Sequence, residues 1–189
     1  MISKMTTNKK AMAEIGFSQA PEVSPELARP MSIYGYPLPR TLDDVARAEE
    51  SVLPLRFREW LDYFYLGDDD LRIKSMEDEP RLCNIWIWDI WFAAAAEHLS
   101  RLANLEPPEW VYKETRYLHG SDVYWGWDSP QMRAIVFVQS PSAFRLRHIF
   151  TLASCLERAT TPREWLSDPW LGFEKPEASL RADANWQLD

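Results

Sequence analysis

One helix governs what this chain can fold into. Residues 81–104 hold Leu82, Ile85, Trp86, Trp88, Ile90, Trp91, Phe92, the run Ala93-Ala94-Ala95-Ala96, Leu99 and Leu102. Between Ile85 and Ala96 the segment is apolar nearly all round, and a helix of that kind is central and surrounded. Pro107 and Pro108 close it, because proline supplies no N–H to continue the ladder. The expected fold is therefore mainly α, a compact helical domain around one long central helix, 81–104. One carboxylate, Asp89, interrupts the apolar stretch. A buried carboxylate is costly unless it is paired. It reads as a structural ion pair or hydrogen bond, with Arg133, Arg145 or a Trp N–H as partner. The functional alternative is an enzyme site centred on Asp89 with an arginine or with His98, His119 or His148.

The rest of the chain supplies elements to enclose that helix. Thr41 is placed to cap a helix that begins Leu42-Asp43-Asp44. Pro54 suits the first turn of a second helix, whose apolar stripe is Leu55, Phe57, Trp60, Leu61, Phe64 and Tyr65. Gly67 marks its end, and Asp68-Asp69-Asp70 opens a third. Residues 113–130, broken by Gly120, Gly126 and Pro130, read as a structured loop rich in aromatics. Residues 131–139 suit a buried helix or a strand; with the chain otherwise helical, a helix is expected. A helix start comes next at 142–149, and a last helix is expected at 151–159. Residues 1–40, punctuated by Pro21, Pro25, Pro30, Pro37 and Pro39, form a flexible Pro-rich lead, with a short helix at 9–15 as an option. Residues 41–160 form the single helical domain. Residues 161–189 form a flexible Trp- and Pro-containing tail.

Ten tryptophans in 189 residues make the chain aromatic-rich. Each indole needs a large apolar pocket and a partner for its N–H. Trp86, Trp88 and Trp91 belong to the core, with Trp60 and Trp110 packed on them. Tyr124, Trp125 and Trp127 in the loop, and Trp165, Trp170 and Trp186 in the tail, are candidates for contact with a partner, since surface Trp and Tyr concentrate binding energy. Arg145, Arg147 and His148 form the one basic cluster near aromatics, flanked by Phe144, Ile149 and Phe150. They are read either as a docking point for an acidic partner or phosphate, or as the counterpart of the protein's own acidic segment.

Charge and motifs narrow the function. The net charge of −8 disfavours non-specific nucleic-acid binding, and the acid is concentrated in residues 41–80. The two cysteines, Cys83 and Cys155, read as free buried thiols. No zinc-ligand spacing, nucleophile elbow or phosphate-binding glycine loop occurs, and Asp68-Asp69-Asp70 lacks the spacing of a calcium loop. No metal or cofactor is expected. The longest apolar run is too short to span a bilayer, so a soluble, cytoplasmic protein is expected.

Three stretches in order carry a resemblance. These are Ala94-Ala95-Ala96-Glu97-His98-Leu99, then Glu106-Pro107-Pro108-Glu109-Trp110, then Ser140-Pro141-Ser142-Ala143-Phe144-Arg145-Leu146-Arg147-His148-Ile149-Phe150. Over residues 41–160 the chain resembles small bacterial domains with an "AEHLA" helix, a Pro-Trp turn and a "SPAAFRRRxIF" segment. Such domains occur in antitoxin-like proteins and in regulators of toxin–antitoxin modules, sometimes after a helix-turn-helix. The resemblance implies a non-enzymatic protein-binding protein, an antitoxin or neutralising partner that occludes a toxin, with a basic toxin as the option its acidic segment suits. This chain has no helix-turn-helix and carries Leu146 where the pattern has an arginine, which argues against direct DNA contact. The alternatives are the Asp89-centred enzyme and a nucleic-acid-binding regulator or adaptor using Arg145, Arg147 and the N-terminal lysines.

Overall fold

The central helix, α4, spans Trp86–Leu102. It starts later than its hydrophobic pattern suggests, because residues 81–85 are not helical and Asn84 sits at φ 60°. Its end is set by backbone geometry. Asn104 adopts φ 56°, its N–H donates to Arg101 O at 3.2 Å, and Leu105 N–H reaches Ser100 O at 2.8 Å. That bond pair is a Schellman close with asparagine in the left-handed position usually taken by glycine.

The computed structural model describes residues 31–32, 35–127 and 129–166. The expected helix at 9–15, the side chain of Trp86, and Trp170 and Trp186 lie outside the described residues. The chain divides into two units, Met1–Leu38 and Pro39–Asp189. In the first, Met31 and Pro37 form an isolated antiparallel bridge around Gly35, whose φ of 81° suits a residue without a Cβ.

In the second unit the fold is mainly α. Helix α1 is Leu42–Ala46, held by a capping box between Thr41 and Asp44. Helix α2 is Leu53–Leu66, with Pro54 in its first turn, and it buries Phe57, Trp60, Leu61, Phe64 and Tyr65. Gly67 ends it in extended conformation, φ −80° and ψ 158°, so the glycine is not used for a left-handed turn. Asp68 caps α3, Asp69–Met76. Short 3-10 turns come after α4 at Glu109–Tyr112 and Glu114–Arg116. Residues 130–139 resolve as a helix, α5, Pro130–Gln139, capped by Ser129. Helix α6 is Ser142–Arg145.

Two departures concern the later part of the chain. Tyr124–Trp125 (β1) pairs in parallel with Ile149–Phe150 (β2), so the loop and the segment after α6 form a small two-stranded sheet. Gly126 comes next, its N–H donating to Phe150 O at 2.9 Å. A Cβ there would stand 3.3 Å from that oxygen, so a side chain would press on the pairing. The helix expected at 151–159 does not form. Thr151 N–H is taken by Ser140 Oγ at 2.7 Å. The chain then runs through tight turns, Cys155 N–H to Leu152 O and Glu157 N–H to Ser154 O. Tyr65 Oη fixes this segment by donating to Leu156 O at 2.9 Å.

The core is one apolar cluster from α1, α2, α4, Trp110, Val111, Phe144, Ile149 and Leu156. Phe57, Trp60, Trp88 and Phe92 pack ring against ring, with centroids 5.5–6.0 Å apart. Among the described residues no helix is long and apolar enough to cross a membrane.

Candidate functional site

The sequence candidates separate into three places. The first is sealed. Arg147, expected from the sequence to contact a partner, is instead fully buried, which corrects that expectation. The helix that would have carried Arg145, Arg147 and His148 stops at Arg145. Turn geometry then points Arg147 inward against α4. Its Nη1 meets Glu97 Oε2 at 2.5 Å and donates to Ala143 O at 2.8 Å. Nη2 donates to Val111 O at 2.7 Å, and Nε to Arg116 O at 3.2 Å. Its guanidinium also lies 4.6 Å from the Tyr117 ring centre. The second oxygen of buried Glu97 accepts from Arg101 at 2.5 Å. Both ions are thus almost fully hydrogen-bonded, the condition under which a buried pair is tolerated.

Arg116, which sequence reasoning missed, belongs to the same interior. It is fully buried and donates to Asp89 O at 3.1 Å, Pro80 O at 2.5 Å and Glu79 Oε1 at 3.2 Å. Its guanidinium sits 5.3 Å from the Trp110 ring centre. Arg116 therefore joins the irregular run before α4 to the 3-10 turns after it. Nothing local in the sequence marks it, because all three acceptors lie at least 27 residues away.

Asp89 is buried and hydrogen-bonded. It is 7% exposed, and its Oδ1 accepts from Cys83 N–H at 2.8 Å and contacts Cys83 Sγ at 3.1 Å. Neither Arg133, Arg145 nor any histidine takes the role expected of it. The carboxylate lies in the first turn of α4, near the positive end of the helix. Burial and the Asp89 carboxylate push the Cys83 thiol up to about 11. Burial pushes Cys155 up to about 12. Both cysteines are free thiols, and neither is activated as a nucleophile.

The second place is the acidic segment, which is largely engaged internally. Burial raises the Asp43 carboxyl, but hydrogen bonds from Arg81 and Arg47 outweigh it and hold the group down at about 2. Asp62 accepts from Arg158 at 2.8 Å and from Thr160 at 2.6 Å. Glu79 is shared by Lys113 and Arg116. These contacts replace the expected pairing with Arg145 and Arg147.

The third place is a face built by α5 and the strand pair. Trp125 stacks on Phe150 at 4.6 Å and 21°, and Phe137 stacks on the same ring at 5.2 Å and 27°. Arg133 lies 5.5 Å from the Trp125 ring centre. Arg133 and Phe137 are four apart on α5, so they share a helix face and reach the two strands together. Apolar side chains there remain exposed: Phe137 at 55%, Val138 at 50% and Trp127 at 47%. Tyr124 turns its ring edge-on to Trp91 instead, at 6.4 Å. Arg145 is exposed. His148 is exposed too, at φ 57° with Nδ1 3.3 Å from Asp122 O. Trp165 is half-buried rather than free. It meets Tyr65 at 6.1 Å and carries the Arg72 guanidinium at 4.8 Å, so the packed domain continues through the start of the tail. Among the described residues no group of His, Cys, Asp and Glu could hold a metal ion. No family model, no curated protein and no solved structure matches the chain.

Proposed function

We propose that this chain is a non-enzymatic protein-binding protein of the bacterial antitoxin kind, which neutralises a partner by covering its working surface. The observation that carries this reading is the α5 face. Phe137, 55% exposed on α5, lies on the Phe150 ring that also stacks on Trp125, and Val138 and Trp127 are about half exposed as well. Surfaces of that composition form the centres of protein interfaces. Support for the antitoxin class comes from the resemblance in residues 94–99, 106–110 and 140–150. Exposed acid at Asp70, Glu77 and Asp78 would steer association toward a basic partner.

Two observations weigh against the competing readings. Asp89 is occupied by Cys83, with no histidine in the arrangement. Arg147 is enclosed by protein, which halves the basic cluster a nucleic-acid reading needs. The test is co-expression with the product of the neighbouring gene. Retention of that product in stoichiometric amount, with its toxicity suppressed, supports the proposal. Independent migration of the two proteins, with toxicity unrelieved, rejects it.

A further inference from the structure

A groove runs between the C-terminal half of α3 and the stretch that follows α4. Ile73 and Met76, three apart on α3, share a helix face and form one wall. Leu105, Pro107 and Pro108 form the other. Trp110 Nε1 donates to Met76 O at 2.9 Å, which ties the two walls together. Met76 is buried, while Ile73 stays 45% exposed. The groove encloses about 300 Å³ and adjoins a second of about 540 Å³, with which it shares Glu77, Pro108 and Glu109.

The rim carries one sign. Glu77, Glu106 and Glu109 line the first groove and Asp78 the second, and all four are exposed. Among the described residues none of these carboxylates makes a hydrogen bond or ion pair, and no Lys, Arg or His lines the first groove. Acid elsewhere is engaged: Asp43 by Arg47 and Arg81, Asp62 by Arg158, Glu79 by Lys113 and Arg116. Helix α3 adds to the same field, because the carbonyl end of a helix carries partial negative charge. Such a field reaches about 8 Å at physiological ionic strength. The rim therefore attracts a cation without requiring a fixed geometry of each carboxylate.

We infer that this groove docks a basic segment of a protein partner, in which one aliphatic side chain is flanked by Lys or Arg. The aliphatic side chain packs on Ile73 and Leu105, where its burial stabilises the complex. The flanking cations lie over the rim and relieve the repulsion among its unpaired carboxylates. The inference deepens the partner-binding reading and rests on it for the existence of a partner. Peptides titrated with the isolated chain test the groove apart from α5, so either assignment can fail alone.

The test is fluorescence anisotropy of rhodamine-labelled pentapeptides titrated with the full chain. The probes are Arg-Lys-Leu-Lys-Arg, the same peptide with serine at its centre, and Asp-Glu-Leu-Glu-Asp. The leucine-centred basic peptide is expected to bind about tenfold more tightly than the serine-centred one, from part burial of one aliphatic side chain. It should bind roughly a hundredfold more tightly than the acidic one. Glu77→Gln with Glu106→Gln and Glu109→Gln should weaken both basic peptides about tenfold. Ile73→Ser should erase the advantage of leucine over serine. Glu49→Gln with Glu50→Gln and Glu164→Gln removes the same charge outside the groove and should weaken binding by less than about twofold. Every substituted position is exposed, and the melting temperature of each variant verifies that it folds. Absence of binding by the basic peptides overturns the inference. So does equal weakening by the two triple variants, which marks an effect of bulk charge, or a leucine preference that Ile73→Ser leaves unchanged.

Discussion

Arg145 and Arg147 lie two residues apart, yet the first belongs to the surface and the second to the interior. Around Arg147 the region between α4 and α6 supplies four acceptors to the buried guanidinium: Glu97, Ala143 O, Val111 O and Arg116 O. Around α5 the reverse holds, and apolar side chains stand in water. One region is polar and closed, the other apolar and open. Burial, not residue type, separates a structural arginine from a contact residue, and an unpartnered apolar face from a core.

That contrast can be broken by substitution. The largest effect is expected for Arg147→Ala, which strands the Glu97 carboxylate in the interior and should cost roughly 3–5 kcal/mol by denaturant unfolding. A loss below about 1 kcal/mol would show the interior to be wetter than the geometry allows. The pH dependence of stability comes next. His98 has a folded-state pKa of about 4 against an ordinary 6.5. The unfolded chain therefore takes up its proton first as pH falls. Stability from this group is fully present above about 6.5 and is lost as pH drops toward 4, an effect on the order of 3 kcal/mol. His98→Gln should flatten that slope, as read by melting temperature across the range. Asp43, held at about 2, acts lower: its contribution is present above pH 3.8 and disappears as pH falls through 2. Asp89→Ala leaves the Cys83 N–H without its acceptor and should cost roughly 1–3 kcal/mol. The smallest effect belongs to the open face. Phe137→Ser with Val138→Ser should change the stability of the isolated chain by only about 1 kcal/mol, since it removes one ring stack and little buried area.

The sequence announces the parts whose signals are local. Thr41, Pro54 and Asp68 stand where caps and first turns form, because each acts on backbone groups within three residues. The enclosed character of α4 follows from its composition, as does the need of Asp89 for a hydrogen-bond partner, though that partner is Cys83 and none of the expected ones. What the sequence conceals is long-range. Glu97 and Arg147 are 50 residues apart, and two-residue strands carry no periodicity to detect. Residues 151–159 have a helical composition, but the segment runs through tight turns and is held by Tyr65 Oη on Leu156 O, a contact from 91 residues away. Of the tryptophans offered as contact residues, Trp127 is exposed and Trp125 half-buried, while Trp165 is packed on Tyr65 and Arg72. An indole in a tail and one in a loop look the same until their neighbours are known.

Whether α5 is an open contact face is decided by retention of the neighbouring gene's product on the co-expressed chain, wild type against Phe137→Ser with Val138→Ser. Stoichiometric retention is expected for the wild type. At least tenfold less is expected for the variant, whose melting temperature stays within about 5 °C of the original. Equal retention by both, or a variant that fails to fold, would contradict the assignment of α5 as an open contact face.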